Sequence, residues 1–214
     1  MKKLILLLLV LMPASIMAQA KYGSVKLGIF SPGATSTGFI IGYEGGKNID
    51  EFLSYGYSID WFHKSYVDES LVNDLNNFNG LYGPNSTLNE LRAKTNIHAI
   101  PVMLSLTGGW YVADKTRAFV TGAAGLQVLL VYYRNYDNPD NNEFKSAFDF
   151  AWQIGGGVSY EVGARSDAFV EIDYHNAQPS WQFTVKDQLG RTRTFERKFD
   201  ISGMMMRVGV RFFF

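Results

Sequence analysis

The sequence contains no cysteine and only three histidines in 214 residues. Disulfide bonds are therefore excluded, and a transition-metal centre has few thiolate or imidazole ligands to draw on. Without a cysteine near its amino terminus, the chain also lacks the attachment point of a bacterial lipoprotein. We predict no catalytic residues, no cofactor and no metal site.

The chain also lacks an excess of charge of either sign. Lysine and arginine together number 20, and aspartate and glutamate together also number 20. This balance does not favour nucleic acid, whose binding domains are typically basic. The predicted partners therefore exclude nucleic acid.

No apolar run approaches the ~20 residues that a membrane-spanning helix requires. The main apolar run covers residues 4–12, directly after Lys2 and Lys3, and Ala18-Gln19-Ala20 follows it. These features are typical of a secretory signal peptide and its cleavage site, and the shortness of the run disfavours a helical anchor. We predict a cleaved signal peptide over residues 1–20 and a single mature domain over residues 21–214.

Aromatic residues are abundant, since they make up 15% of the chain and include 12 tyrosines. Tyrosine and tryptophan suit membrane interfaces, where one side of the ring meets lipid and the other meets water. Lipid cannot satisfy an open strand edge. A membrane protein without spanning helices is therefore expected to be a closed β-barrel.

The mature sequence alternates apolar and polar residues in eight segments. In the last segment every second residue from Met204 to Phe214 is apolar, while Arg207 and Arg211 have the opposite parity. This two-residue period, repeated over about ten residues, is typical of transmembrane β-strands. The predicted strands cover residues 22–30, 38–44, 53–65, 96–112, 118–133, 148–162, 170–175 and 204–214.

The connections between these segments alternate in length. Short ones cover residues 45–52, 113–117 and 163–166, and longer or more polar ones cover 31–37, 67–95, 135–145 and 185–199. A soluble lipocalin-type barrel is the alternative, but its polar face would carry dense lysine and glutamate rather than glycine, serine and glutamine. The predicted fold class is all-β, an eight-stranded antiparallel up-and-down transmembrane barrel with both termini in the periplasm.

Three motifs carry a resemblance to a known family: Ile100-Pro101-Val102-Met103-Leu104, Gly155-Gly156-Gly157 and the final segment that ends on Phe214. With them, the mature chain resembles the small outer-membrane β-barrel proteins common in Bacteroidota, whose architecture is related to OmpA-like and OmpW-like barrels. The resemblance implies an outer-membrane location and insertion by the barrel-insertion machinery, which reads a terminal aromatic residue. It implies no single activity.

The polar parity is predicted to face the lumen. An eight-stranded barrel is filled by its own side chains, so charges inside it have to be paired. We expect Glu171 and Asp173 to meet Arg207 and Arg211 across neighbouring strands, with Lys26 on the same side. A salt-bridged plug is the main interpretation, and a gated polar conduit or ligand pocket is the alternative. The predicted lumen residues are Lys26, Glu44, Asp60, Gln127, Asp149, Gln153, Glu161, Glu171, Asp173, His175, Arg207 and Arg211.

One pair of residues is a candidate catalytic site. His63 and Ser65 share an outward-facing parity at the extracellular end of a strand, and His98 is expected nearby. Outer-membrane lipid A deacylases carry a His-x-Ser pair facing lipid, but a hydrolase also needs a carboxylate to orient the imidazole. No outward-facing Asp or Glu is found on the neighbouring predicted strands, so we predict no enzymatic activity.

The longer connections hold the remaining candidates. Residues 67–95 are rich in asparagine and leucine, and segment 69–78 is a candidate amphipathic helix and recognition surface. Residues 137–143 resemble a calcium-binding oxygen cluster, but their spacing does not match an EF-hand, and we favour an ordinary loop of turn-forming residues. Residues 186–198 are basic and fit the phosphates of lipopolysaccharide, or a plain hairpin tip.

We therefore expect an outer-membrane barrel with a structural or surface-interaction role through its extracellular loops. Outer-membrane lipid, lipopolysaccharide and the barrel-insertion machinery are its expected partners, and its extracellular partner is left open. A narrow channel for small or apolar solutes is the second hypothesis, and a lipid A-modifying hydrolase is the third.

Overall fold

The computed structural model describes residues 21–67, 94–134, 142–186 and 192–214. The predicted signal peptide lies outside these ranges. No helix in the described ranges is long and apolar enough to cross a membrane. Within the described ranges the strands are β1 (Lys21–Pro32), β2 (Gly38–Asn48), β3 (Leu53–Val67), β4 (Lys94–Ala113), β5 (Thr116–Arg134), β6 (Asn142–Gly163), β7 (Ser166–Asn176), β8 (Ser180–Lys186), β9 (Thr192–Lys198) and β10 (Gly203–Phe213).

Eight of these strands close into a barrel in the order β1-β10-β7-β6-β5-β4-β3-β2. Every neighbouring pair is antiparallel, and the barrel closes where β1 pairs with β10, from Tyr22 opposite Phe213 to Pro32 opposite Gly203. Closure leaves no strand edge of the barrel unpaired. The predicted fold, an eight-stranded antiparallel barrel, is confirmed.

The predicted strand bounds were too short at several ends. Strand β2 runs to Asn48 rather than residue 44, and β6 begins at Asn142 rather than residue 148. Main-chain pairing does not need apolar side chains, so the ladder continues past the point where the alternating pattern stops. The predicted loop 185–199 is also partly wrong, because β8 and β9 pair there as a separate two-stranded hairpin, from Ser180 opposite Lys198 to Lys186 opposite Thr192.

The outward face is an apolar belt of unusual size for a protein surface. Large apolar side chains such as Leu104 (73% exposed) and Phe148 (66% exposed) cover it. Such a continuous exposed surface indicates that lipid surrounds the belt. Aromatic side chains are frequent at its two rims: Tyr55, Tyr57, Trp110, Tyr160 and Phe212 on one side, and Trp61, Tyr132, Phe144, Trp152 and Tyr174 on the other.

The two ends of the barrel differ. At one, here called the turn end, three short turns connect β2 to β3, β4 to β5 and β6 to β7. Asp50 fixes the first turn, because its Oδ1 accepts hydrogen bonds from the main-chain N–H groups of Phe52 and Leu53, both at 2.7 Å. The second turn places Lys115 at a φ of 61°. The opposite end, here called the loop end, carries the longer connections and the β8–β9 hairpin.

Inward-facing glycines make room for the charged side chains of the interior. Gly28 lies opposite Arg207, Gly42 opposite Asp60 and Gly155 opposite Asp173 in the strand registers. A Cβ atom on Gly42 or Gly155 would collide with the facing carboxylate, and one on Gly28 would collide with the backbone and side chain at Arg207. These strand glycines therefore serve packing.

We predict that Gly155→Ala destabilises the barrel, whereas Gly122→Ala does not. The new methyl group at position 155 would meet the Asp173 carboxylate and the Ile172 carbonyl, but at position 122 nothing lies within 4 Å of it. Overpacking of this kind costs about 1–3 kcal/mol. The check is the thermal unfolding midpoint of each detergent-folded variant, and equal midpoints for the two variants would contradict the packing role.

Candidate functional site: the filled interior of the barrel

Arg207 is the centre of a charged cluster inside the barrel. Its guanidinium reaches Asp60 Oδ1 at 2.9 Å and Asp173 Oδ2 at 2.9 Å through its two terminal nitrogens. Its Nε lies 2.8 Å from Glu171 Oε1, although this contact lacks the alignment of a hydrogen bond. The side chain is only 2% exposed. One cation is thus surrounded by three carboxylates that are equally buried.

Lys26 extends this cluster toward the turn end. Its ammonium group forms an ion pair with Glu44 and a second one with Glu171, at 3.1 Å from Oε1. The hydroxyl of Tyr22 donates a hydrogen bond to Glu44 Oε1 at 2.9 Å. Glu171 therefore bridges the two cations, and the ion pairs form one continuous network across the lumen.

Arg211 does not join this network. The sequence predicts that it pairs with a carboxylate, but its guanidinium carbon instead lies 4.8 Å from the ring centre of Tyr22, 5.2 Å from that of Phe169 and 5.8 Å from that of Phe119. Cation–π contacts with three rings replace the expected ion pairs. The prediction was right for Arg207 with Glu171 and Asp173, and wrong for Arg211. It also missed that Asp60, across the lumen, is the third partner of Arg207.

The network is costly to disrupt because its members are shielded from water. Removing one partner from a buried ion pair leaves an unpaired buried charge, which typically destabilises a protein by about 3–5 kcal/mol. Here the loss of Arg207 would leave three carboxylates close together without their main counter-ion. The network acts as a clamp between β10, β7, β3 and, through Lys26, β1.

The next layer toward the loop end is polar but uncharged. Gln127 and His175 are almost fully buried, and Gln127 Oε1 lies 3.0 Å from His175 Nε2. The other ring nitrogen of His175 has no hydrogen-bond partner in the described ranges. The ring of His175 packs edge-on against Phe30. This layer separates the charged network from the apolar side chains nearer the loop end.

The loop-end half of the interior is apolar, which the sequence prediction did not anticipate. On strand after strand the inward residues there are hydrophobic: Phe30, Ile40, Phe62, Ile97, Ala99, Leu129, Val131, Ala147 and Met205. Inward and outward faces are both apolar at this height, so alternation no longer distinguishes them. The predicted lumen residues therefore account for the turn-end half and the middle of the interior, and the apolar half was not predicted.

The base of the β8–β9 hairpin covers this apolar layer. Phe199 and Ile201 are 2% and 1% exposed and belong to the same apolar cluster, and Trp181 packs against Phe199. The main-chain N–H of Phe199 donates to Pro179, and that of Ile201 donates to Ala177. The returning segment after β9 thus caps the barrel from the loop end.

Two predicted lumen residues lie at the ends instead. Glu161 is at the turn end, where its Oε1 accepts a hydrogen bond from the Tyr111 hydroxyl at 2.6 Å. Asp149 is at the loop end, where its Oδ2 accepts one from the main-chain N–H of Gln178 at 2.6 Å. The remaining ten predicted lumen residues are all buried in the interior.

The predicted histidine pair lies outward near the loop end, as expected. The rings of His63 and His98 stack at 4.5 Å, and Trp61 donates a hydrogen bond to His98 Nδ1 at 3.2 Å. His63 Nδ1 lies 3.1 Å from the main-chain oxygen of Ile97. In the described ranges no carboxylate contacts His63 and no hydrogen bond joins it to Ser65, so the orienting group of a serine hydrolase is not found there.

Three predicted loop features lie wholly or mostly outside the described residues. These are the amphipathic segment 69–78, the oxygen-rich segment 137–143 and the tip of the basic segment 186–198. In the described ranges no group of three or more histidine, aspartate or glutamate side chains is arranged to hold a metal ion.

Solved structures with the same fold come from bacterial outer membranes. The outer membrane protein OprG from Pseudomonas aeruginosa aligns with a TM-score of 0.62 and 10% identity, covering 92% of this chain and 96% of that one. A major outer membrane protein from Thermus thermophilus aligns with a TM-score of 0.55 and 12% identity, covering 91% and 100%. The fold is that of small outer-membrane barrels. Neisserial surface protein A also aligns, with a TM-score of 0.51, 12% identity and coverage of 92% and 96%.

The sequence itself matches no protein-family model and no curated protein. At identities this low, the likeness to these outer-membrane proteins concerns the fold alone. Function therefore has to be argued from the side chains of this barrel.

We predict that Arg207→Leu lowers the free energy of unfolding by about 3–5 kcal/mol, because it strands the carboxylates of Asp60, Glu171 and Asp173. Arg165→Leu, on an exposed turn, is the matched control and should change little. Unfolding of the detergent-folded barrel in urea measures both. An Arg207→Leu variant as stable as the control would refute the clamp.

Proposed function

We propose that this chain is an outer-membrane protein that closes its own lumen and acts through the surface at its loop end. The observation that carries this proposal is the continuous filling of the described interior. Ion pairs occupy its turn-end half, a glutamine–histidine layer comes next, and an apolar core occupies its loop-end half under Phe199 and Ile201. A barrel filled in this way is a scaffold rather than a pore.

The proposal includes the orientation of the barrel in the membrane and the molecules that surround it. The turn end faces the periplasm and the loop end faces the outside, which is the arrangement expected of outer-membrane barrels with short periplasmic turns. Outer-membrane lipid and lipopolysaccharide cover the apolar belt, and the barrel-insertion machinery places the chain in the membrane. Membership of the Bacteroidota-type family is part of the proposal. It assigns no catalytic role.

A surface role fits the way the loop end is held. The turn after β1 is tied to the segment after β9, since Gly33 N–H donates to Ser202 and Ala34 N–H donates to Asp200. Ser202 in turn accepts a hydrogen bond from the Asn176 side chain at 3.0 Å. The hairpin therefore projects from a fixed base, as a surface meant for recognition requires.

A second candidate function, a narrow path for apolar solutes, is favoured by one observation. The loop-end half of the interior is lined by apolar side chains, and the side chains that cover it belong to the returning hairpin segment, outside the barrel wall. Displacement of Phe199 and Ile201 would expose an apolar chamber, with the Gln127–His175 layer as its floor.

We predict that the refolded wild-type barrel shows no discrete conductance steps in a planar lipid bilayer. The Arg207→Ser variant should conduct, because it removes the side chain that fills the lumen and leaves carboxylates that attract cations. Arg165→Ser, on the exposed turn, should be silent like the wild type. Regular steps from the wild-type protein would contradict the closed lumen and favour a channel.

A further inference from the structure

A second, open site lies at the turn end, where the mouth of the barrel meets solvent. A cavity of about 490 Å³ opens there between the turn that joins β2 to β3 and the ends of β4 to β7. This is within the usual size range of small-molecule pockets. Its principal lining side chains are Asp50, Glu51, Tyr111, Arg117, Glu161, Asp167 and Phe213.

The lining of this cavity is strongly acidic. It holds four carboxylates and one guanidinium group. Arg117 directs a terminal nitrogen to main-chain oxygens, 3.0 Å from Glu51 and 3.4 Å from Gly109, rather than to a carboxylate. The guanidinium of Arg117 therefore supports the walls and offsets only part of the charge of the four carboxylates, among them that of Asp167.

Asp167 is the main candidate for binding a ligand in this acidic cavity. It is 8% exposed, yet it makes no hydrogen bond and no ion pair within the described ranges. Its partner in the strand register is Arg211, whose guanidinium stacks on aromatic rings instead of pairing with it. Its carboxylate borders the cavity and is attracted by Arg211 and Arg117 without pairing with either, so its charge is only partly offset and favours a cation from outside.

The other carboxylates are placed to hold a second positive group. Glu161 uses Oε1 for the Tyr111 hydroxyl and Asp50 uses Oδ1 for the main chain of its turn, so each keeps one oxygen for a ligand. The rings of Phe213 and Tyr111 also line the cavity and add apolar surface to it. An alkyl stem between two ammonium groups matches a lining that combines carboxylates with aromatic rings.

We propose that this cavity binds a small organic cation with two amino or guanidino groups, one paired with Asp167 and the other with the rim carboxylates. A divalent metal ion fits less well, because no group of three or more acidic or histidine side chains in the described ranges is arranged around a single point. The site is independent of the closed lumen and of any role of the loop end.

The test uses the whole refolded barrel in non-ionic detergent at low ionic strength, with 1,5-diaminopentane as the probe. Binding is followed by calorimetry and by the amide NMR signals of β7 and of the turn before it. We expect saturable binding that weakens at least about tenfold in Asp167→Asn, since a charge-assisted hydrogen bond is lost. Asp114→Asn, on a turn at the same end but outside the lining, should bind like the wild type.

A replacement variant and a titration with Ca²⁺ complete the test. If Asp167→Asn fails to fold, Glu161→Gln replaces it, with an expected several-fold loss. Equal diamine binding by wild type and both variants would overturn the proposal, as would the absence of binding. Ca²⁺ that shifts the same signals in an Asp167-dependent way, when the diamine does not, would overturn it in favour of a metal site.

Discussion

The ion pairing of Arg207 with Asp60, Glu171 and Asp173 is the interaction on which the rest of the structure depends. An eight-stranded barrel has an interior just wide enough for side chains, so any charge placed there is shielded from water. The cluster satisfies this constraint with cations and carboxylates drawn from β1, β2, β3, β7 and β10. These strands include both sides of the β1–β10 seam, and the network therefore ties the barrel together where the two ends of the sheet meet.

Space for this network comes from glycine. Long charged side chains cross a narrow lumen only where the facing residue has no side chain, and Arg207, Asp60 and Asp173 each face a glycine in register. The apolar half nearer the loop end solves the same filling problem with aromatic and branched side chains. Ion pairs thus fill one half of the lumen and apolar packing fills the other. The base of the β8–β9 hairpin covers the apolar half.

Much of the fold follows from the sequence because consecutive residues of a barrel strand alternate between the two faces of the wall. The two-residue period assigns each side chain to the lipid or the lumen, and strand adjacency brings Glu171 and Asp173 to Arg207. Contacts across the lumen are different, since the pairing of Asp60 with Arg207 depends on how far the strands are staggered when the barrel closes. That stagger is not visible in the pattern of any single strand.

The missed features have the same kind of cause. Phe30, Ile40 and Phe62 lie beside outward apolar residues, so the alternation vanishes where the interior becomes hydrophobic. Asp167 stands next to a short turn and reads as an ordinary turn residue. It is buried and forms no ion pair in the described part of the chain, because Arg211 contacts aromatic rings rather than the Asp167 carboxylate. Whether Arg211 contacts the aromatic rings or a carboxylate depends on the packing around it, which the sequence does not show.

The most direct measurement is the distance between the Arg207 guanidinium nitrogens and the Asp60 side-chain carboxyl carbon, by solid-state NMR of the protein in lipid bilayers. These groups lie on strands that are not neighbours, so only a filled lumen brings them together. A closed, salt-bridged lumen predicts a separation typical of a direct ion pair. A separation that leaves room for water between the two groups would contradict it.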